Sequence, residues 1–122
     1  MQHPQVIIVD DDDQVRFAVH ALAQEALPYA HIADYHSCLQ ALQEIESGGV
    51  DLVITNCHMP DMDGPTLVKT LRERKFSMPI IMVSGSDDAR ELGEAAGIDR
   101  FIEKRLLDPD LLDAIHMLLE TA

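Results

Sequence analysis

The chain is organised around the segment Asp51-Leu-Val-Ile-Thr-Asn-Cys-His-Met-Pro-Asp-Met-Asp-Gly64. Its first half, Leu52 to Thr55, is apolar and partly β-branched, which is typical of a strand buried on both faces of a parallel sheet. Its second half contains Pro60 and Gly64, which favour a loop. Polar Asn56 stands where this strand is predicted to end. In an open parallel α/β sheet, ligands bind at the carboxyl ends of the strands, so the segment predicts a functional site around Asn56.

Composition limits the class of protein. The chain has 122 residues, 47% of them hydrophobic, which predicts one globular domain over 1–122 with no output domain in the chain. The formal charge of −13 argues against nucleic acid as a direct partner, because a phosphate backbone requires a positive surface. Cys38 and Cys57 lack metal-ligand spacing and are interpreted as reduced thiols of a cytoplasmic protein. The sequence contains no signal-peptide pattern and no membrane-spanning apolar run.

Strands and helices are predicted to alternate along the whole chain. The predicted strands are 6–9, 29–32, 52–55, 80–83 and 100–103. Apolar spacing, caps and terminating Pro or Gly predict a helix after each strand. These helices begin near Asp13, with Asp12 or Asp13 as the cap, and at Ser37, Pro65, Ser86 and Asp108. Positions expected to face the core include Leu39, Leu42, Ala89, Leu92 and Ala95. Five such units predict an α/β fold, a doubly wound (βα)5 parallel sheet with right-handed crossovers.

Polar side chains follow the carboxyl ends of four predicted strands. They are Asp10 and Asp11, Asn56, Ser84 and Lys104. Taken singly, Ser84 is interpreted as a turn residue and Lys104 as a surface lysine. Taken together, the groups suit a divalent cation and a phosphoryl group, because hard oxygens hold Mg²⁺ while Lys and Ser bind phosphoryl oxygens. The joint placement favours this functional interpretation.

Four segments resemble the receiver domain of two-component response regulators. They are Val9-Asp10-Asp11, Asn56-Cys-His-Met-Pro-Asp-Met-Asp-Gly64, Val83-Ser84-Gly85 and Phe101-Ile-Glu-Lys104. The resemblance implies a flavodoxin-like receiver fold with strand order 2-1-3-4-5. It implies two-component or phosphorelay signalling through protein–protein interaction, not enzyme activity. It also implies input from a histidine kinase or histidine phosphotransfer protein, and a downstream protein bound on the face of the fourth helix, fifth strand and fifth helix.

The same resemblance implies a role for each site residue. Asp10 and Asp11 form the acid pair, with Asp11 contacting Mg²⁺ directly and Asp10 through water, and the backbone carbonyl of His58 is a further metal ligand. The other implied roles are the switch hydroxyl of Ser84, the switch aromatic ring of Phe101 and the phosphoryl-binding amine of Lys104. In the unphosphorylated family member the hydroxyl and the aromatic ring lie away from the pocket, and that state is expected here.

Asn56 stands where the family has its phosphoacceptor Asp. A carboxylate accepts a phosphoryl group as an acyl phosphate, whereas the nitrogen lone pair of an amide is delocalised and its oxygen carries no full charge. Phosphorylation at Asn56 is therefore not expected. Weak Mg²⁺ binding is expected, because a neutral ligand replaces a carboxylate. The sequence leaves open whether the chain is a natural pseudo-receiver or an engineered Asp→Asn variant.

Two further departures from the family concern the residues between Ser84 and Arg105. Arg105 follows Lys104 where the family usually has a Pro in a cis peptide bond, so a trans bond is expected. The span from Ser84 to Lys104 is short for the family, which is expected to trim the fourth helix or the loop before it. The oligomeric state stays open.

Two other functions remain as alternatives. One is a docking module with a vestigial pocket. The other is a Mg²⁺-dependent phosphatase resembling the haloacid dehalogenases, in which Asp10-Asp11-Asp12, Ser84 and Lys104 are the motif residues. The phosphatase needs a further acid pair on a strand after the lysine, whereas Asp108 and Asp110 are predicted at the start of a helix.

Overall fold

The computed structural model describes residues 3–120 and places helices on both faces of a five-stranded sheet. The strands are β1 (Gln5–Val9), β2 (His31–Tyr35), β3 (Leu52–Thr55), β4 (Ile80–Ser84) and β5 (Arg100–Glu103). The helices are α1 (Asp13–Ala26), α2 (Cys38–Glu46), α3 (Gly64–Glu73), α4 (Ala89–Ala96) and α5 (Leu107–Glu120), with a 3-10 turn at Lys104–Leu106. All strand pairs are parallel in the order β2-β1-β3-β4-β5, which confirms the predicted fold class.

The central strands separate two hydrophobic cores. On one face, α1 and α5 pack on side chains of β1, β3 and β4 that include Ile8, Ile54 and Ile81. On the other face, α2, α3 and α4 pack on the alternate side chains, which include Ile7, Val53 and Met82. Each fully buried Ile or Val side chain contributes about 1.5–3 kcal/mol to folding. Burial on both faces explains why these strands read as continuous apolar runs.

Strand β2 lies later in the chain than the predicted range 29–32. Its pairing with β1 begins where Gln5 faces His31, while Tyr29 is exposed in the preceding turn. That turn is closed by the Ala30 N–H, which donates to the carbonyl of Leu27. The strand is at the edge of the sheet and only partly buried, so its sequence lacks the apolar run that identifies the central strands.

Helices α1 and α2 begin at the predicted caps. The Asp12 carboxylate accepts hydrogen bonds from the N–H groups of Gln14 and Val15, and Ser37 accepts from the N–H of Gln40. The prediction that Leu39 faces the core is wrong, because its side chain is 48% exposed. The buried stripe of α2 consists of Cys38, Ala41, Leu42 and Ile45.

The boundaries of three later helices differ from the predictions. Helix α3 begins at Gly64, one residue before Pro65, with the Asp63 carboxylate accepting from the Thr66 N–H. Helix α5 begins at Leu107 because the 3-10 turn leads directly into it, so Asp108 lies in the first turn instead of capping. Ser86 does not cap α4 either. Asp88 holds that position, and the Ser86 hydroxyl donates to the Asp88 carboxylate at 2.8 Å.

Helix α4 has eight residues and contacts the sheet through small side chains. Leu92 and Ala95, predicted to face inward, are exposed, and the buried positions are Ala89 and Gly93. A Cβ atom on Gly93 would lie 2.8 Å from Ile98 Cδ1 and 2.9 Å from Met82 Sδ. The absence of a side chain at Gly93 therefore lets the helix lie close to β4. The expectation that this region is trimmed relative to the family stays a prediction.

All peptide bonds of the described residues are trans, which confirms the expectation for Lys104–Arg105. Within the same part of the chain, none of the helices combines the length and the apolar character needed to cross a bilayer.

Arg72 connects the end of α3 to the segments that precede β4 and β5. Its guanidinium donates to the carbonyls of Gly97 at 3.0 Å, Phe76 at 3.0 Å and Met78 at 2.9 Å. It also donates to Asp99 Oδ2 at 2.9 Å, and that atom accepts from the Ile80 N–H. Periodicity in the sequence does not reveal this network, which joins residues distant along the chain.

We expect Arg72→Ala to lower the free energy of unfolding by about 2–3 kcal/mol, because partly buried carbonyls lose a charged donor. Urea denaturation followed by far-ultraviolet circular dichroism measures the change. Arg74→Ala is the matched control. The side chain of Arg74 makes a half-exposed ion pair with Glu46, so its loss is expected to cost less than about 1 kcal/mol. Equal losses for the two variants would contradict a structural role for the Arg72 network.

Candidate functional site

The carboxyl edge of the sheet brings the predicted site residues together. Asp10 follows β1, Asn56 follows β3, Ser84 ends β4 and Lys104 follows β5. These four strands are neighbours in the sheet, and the Asn56 N–H donates to the Val9 carbonyl at 3.0 Å. The ends of β1 and β3 are therefore held side by side. The placement is the one expected from the sequence, while the chemical roles of these residues stay predictions.

Asp10 and Asp11 have different environments although they are adjacent. Asp10 is 2% exposed, and its carboxylate accepts from the Asp12 N–H at 2.9 Å. Burial raises the pKa of Asp10, while the Asp12 hydrogen bond and the positive charge of Lys104 act in the opposite direction. Asp11 is exposed and faces Asn56. Asp10 is thus buried and held at the edge of the sheet, whereas the side chain of Asp11 is accessible to a ligand.

Arg16, which the sequence analysis did not identify, holds the backbone beside this pair. Its Nη1 atom donates to the Asp10 carbonyl at 2.8 Å. Its other guanidinium nitrogens bind Asp13 at 2.6 Å and Asp34 at 3.1 Å. Arg16 follows the first turn of α1, but an acidic first turn with a later arginine is too common a pattern to predict this contact.

Asn56 is 8% exposed and its amide is fixed at both ends. Its Oδ1 atom accepts from the Cys57 N–H at 2.7 Å. Its Nδ2 atom lies 3.3 Å from the carbonyl oxygen of His58 and 3.5 Å from Asp11 Oδ1. The N–H donors of the amide therefore face the two oxygen atoms that were predicted to be metal ligands.

Gly64 lies directly against the backbone of Asn56. A Cβ atom at Gly64 would be 2.0 Å from the Asn56 carbonyl oxygen, and the Gly64 N–H donates to the Cys57 carbonyl at 2.7 Å. Only glycine permits this approach. The Met-Pro-Asp-Met-Asp-Gly loop thus returns to the strand end it started from, and α3 begins beside the site.

Asp61 anchors the same loop to α2, a role the sequence analysis did not assign. Its carboxylate accepts from the Ser37 hydroxyl at 2.6 Å and from the Leu39 N–H at 3.2 Å. These hydrogen bonds, with that from Ser37 the strongest, lower the pKa of Asp61 to about 2. Asp61 therefore remains ionised near neutral pH, and the charge strengthens its hydrogen bonds.

Ser84 and Lys104 line one cavity of about 500 Å³, together with Phe101 and Arg90. Ser84 is 3% exposed, and its hydroxyl accepts from the Ser86 N–H at 3.3 Å. Among residues 3–120, the Lys104 ammonium has no ion-pair partner within 4.0 Å, and its charge acts on Asp10 from farther away. The cavity thus offers a hydroxyl and a cation at adjacent strand ends.

Phe101 is half-buried in β5 and is covered by a cation. The guanidinium carbon of Arg90 lies 4.7 Å from the centre of its ring, which is a favourable cation–π arrangement. The expectation that this ring and the Ser84 hydroxyl lie away from the pocket stays a prediction. Arg90 was missed because nothing in the sequence pairs the first turn of α4 with β5.

The imidazole of His58 connects two loops above the site, whereas the sequence analysis gave His58 a role only through its carbonyl. Its Nε2 atom lies 3.1 Å from the Ser86 hydroxyl and 3.0 Å from Asp88 Oδ1. The contact with His58 lowers the pKa of Asp88. The position of these residues in the sequence could have predicted the contact, because His58 and Ser86 each follow the end of a neighbouring strand by a few residues.

The residues as placed do not fit a divalent cation well. Asp10 and Asp11 supply two carboxylates, and within residues 3–120 no cluster of three or more His, Cys, Asp or Glu side chains is arranged to hold a metal. At position 56, N–H donors face the Asp11 carboxylate and the His58 carbonyl. A cation requires oxygen lone pairs in that direction instead of N–H groups.

Comparison with known proteins places the chain among signalling domains. The model of the response regulator receiver domain matches residues 6–116. The sensor kinase CckA of Brucella abortus is 37% identical over 86 residues, which are 69% of this chain and 9% of that protein. The chain spans 9%, 32% and 58% of the lengths of three curated relatives that it matches, so it corresponds to a part of each.

Solved structures agree in fold. The signal receiver domain of an HD domain-containing protein from Pseudomonas fluorescens has a TM-score of 0.79 at 30% identity, covering 98% of this chain and 96% of that chain. A CheY-like response regulator receiver domain protein from Methanospirillum hungatei has a TM-score of 0.84 at 25% identity, covering 97% and 94%. The family match extends over nearly the whole chain, and the chain therefore belongs to the response regulator receiver domains of two-component signal transduction.

Proposed function

We propose that this chain is a receiver domain that transmits signals by binding other proteins and is not phosphorylated at position 56. The observation that carries the proposal is the amide of Asn56 at the family's phosphoacceptor position. An amide is not a nucleophile toward a phosphoryl group, and this one already uses its oxygen to accept from Cys57. Asn56, Ser84 and Lys104 keep the positions of the phosphoryl site, but the group that would form the covalent bond is absent.

The proposal assigns the remaining site residues by their family roles. Asp10 and Asp11 are the acid pair, Ser84 and Phe101 are the switch residues, and Lys104 is the anion-binding lysine. Mg²⁺ supplies charge neutralisation in such sites, and its candidate ligands here are Asp10, Asp11, the position-56 side chain and the His58 carbonyl. We expect its binding to be weak, because only two of these groups carry a negative charge.

The partners are proposed to be a histidine kinase or histidine phosphotransfer protein on the input side and a protein on the output side. The name of the CckA relative, a sensor kinase, supports the first. For the second we propose the face formed by α4, β5 and α5. Strand β5 is at the edge of the sheet, with Phe101 half-buried beneath Arg90 and the side chain of Met117 exposed. Methionine, aromatic and arginine side chains are enriched in protein interfaces.

A cytoplasmic location is proposed from the cysteines. Cys38 and Cys57 are both buried and free, and burial raises the pKa of Cys38 to about 12. A protonated, enclosed thiol acts as a small hydrophobic side chain, as is usual in proteins kept reduced.

Of the rival functions, the phosphatase has the weaker support. Asp108 and Asp110, the acids that follow Lys104, lie in the first turn of α5 and not on a strand. The vestigial docking module shares the proposed output face, and it differs from our proposal in having no histidine kinase or phosphotransfer protein as an input partner.

With acetyl phosphate and Mg²⁺, we expect no adduct on this chain and one phosphoryl group on the Asn56→Asp variant, because only a carboxylate can form the acyl phosphate. Intact-mass measurement detects the adduct, and Asn56→Ala serves as the control that stays unmodified. An adduct on the unaltered chain would show that another carboxylate, Asp10 or Asp11, accepts the group and would contradict the proposal.

We also expect no Mg²⁺-dependent hydrolysis of p-nitrophenyl phosphate by this chain, because the site lacks the further acid pair of a phosphatase. The release of p-nitrophenol is followed by absorbance, with Asp11→Asn measured beside it. Turnover that disappears in Asp11→Asn would favour the phosphatase instead.

A further inference from the structure

Asn56 belongs to the loop between β3 and α3, and its amide nitrogen lies between an oxygen of that loop and an oxygen of the loop between β1 and α1. On one side is Asp11, in the loop between β1 and α1, and on the other is His58, in the loop between β3 and α3. The nitrogen is 3.5 Å from the Asp11 carboxylate and 3.3 Å from the His58 carbonyl. One side chain therefore contacts both loops.

The direction of the amide is set by its other end. The Cys57 N–H donates to Asn56 Oδ1 at 2.7 Å, so turning the amide over would place two N–H donors against each other. In the observed orientation, two N–H groups carrying partial positive charge face a carboxylate and a carbonyl. The two contacts are at the long end of the hydrogen-bond range, but one acceptor is charged, which strengthens the interaction.

We propose that the Asn56 amide is a built-in substitute for the divalent cation of this site, so that the two loops keep their arrangement without a metal. The inference rests on the proposed function only in identifying position 56 as the phosphoacceptor position. With the amide in place, the two loops keep the same arrangement whether or not a cation is present. In a receiver with a carboxylate at this position, that arrangement would depend on a bound cation.

The charges around the site explain why the identity of residue 56 matters. Asp10 is buried and Asp11 is adjacent to it, and Lys104 is the cation whose charge acts on Asp10. The Arg16 guanidinium is already bound to Asp13, Asp34 and the Asp10 carbonyl. A third carboxylate at position 56 would repel the other two unless a cation joined them.

The test is thermal unfolding of this chain and of Asn56→Asp, followed by circular dichroism in EDTA and in Mg²⁺ at matched ionic strength. We expect the Tm of the unaltered chain to differ by no more than about 2 °C between the two solutions, because its Mg²⁺ binding is weak. Asn56→Asp should melt several degrees lower in EDTA, and Mg²⁺ at tenfold excess over its Kd should raise that Tm by about 5 °C.

Asn56→Ala separates the amide contacts from the added charge. It removes the N–H donors, and also the Oδ1 acceptor of the Cys57 N–H, without introducing a carboxylate. We expect a Tm below that of the unaltered chain in EDTA and no response to Mg²⁺. Calorimetric titration with Mg²⁺ provides a second measurement on folded protein. In it, Asn56→Asp is expected to bind at least about tenfold more tightly than the unaltered chain.

Two results would overturn the inference. One is a Mg²⁺-induced rise in Tm for the unaltered chain as large as that for Asn56→Asp. The other is an Asn56→Ala variant as stable in EDTA as the unaltered chain. Neither result changes the outcome with acetyl phosphate, so the inference can fail while the proposed function stands, and an adduct on the unaltered chain would leave the melting comparison intact.

Discussion

The parallel pairing of β1 with β3 is the constraint on which the rest of the structure depends. Val9 and Thr55 are opposite each other in the register, and the next residues, Asp10 and Asn56, leave the sheet at the same level. Strand β4 continues the register, with Thr55 opposite Met82, and β5 brings Glu103 opposite Ser84. Because each strand ends in a polar residue at this edge, the backbone hydrogen bonds of the sheet also determine which side chains meet.

The sequence predicts this framework well, because the central strands are buried on both faces and their apolar runs end abruptly in acid, amide and hydroxyl groups. It fails where burial is partial or depends on a distant partner. The edge strand β2 has little apolar pattern, and Leu39 and Leu92 look inward by spacing although both are exposed. The Arg72 network, the contacts of the His58 ring and the Arg90–Phe101 pair join residues from different elements and loops, and periodicity carries no information on such pairs.

Replacing a carboxylate by an amide at position 56 preserves the shape of a receiver while changing its electrostatics. The two side chains have nearly the same volume, and the close approach of Gly64 is to the backbone carbonyl of Asn56, not to the group that differs. The charge, the nucleophile and the preference for a cation do depend on it. At residue 56, the backbone atoms therefore contribute to the fold, whereas the side-chain atoms determine the chemistry of the site.

The small contact area between α4 and the sheet affects the local unfolding of the domain. Ala89 and Gly93 are its buried residues, so separating this helix from β4 exposes little apolar surface compared with any helix whose stripe consists of leucine and isoleucine. Local unfolding of α4 therefore requires less free energy than unfolding of the whole domain, and its amide hydrogens exchange with solvent through that smaller opening. Helix α4 is part of the proposed output face, and its separation from β4 would leave most of both hydrophobic cores in place.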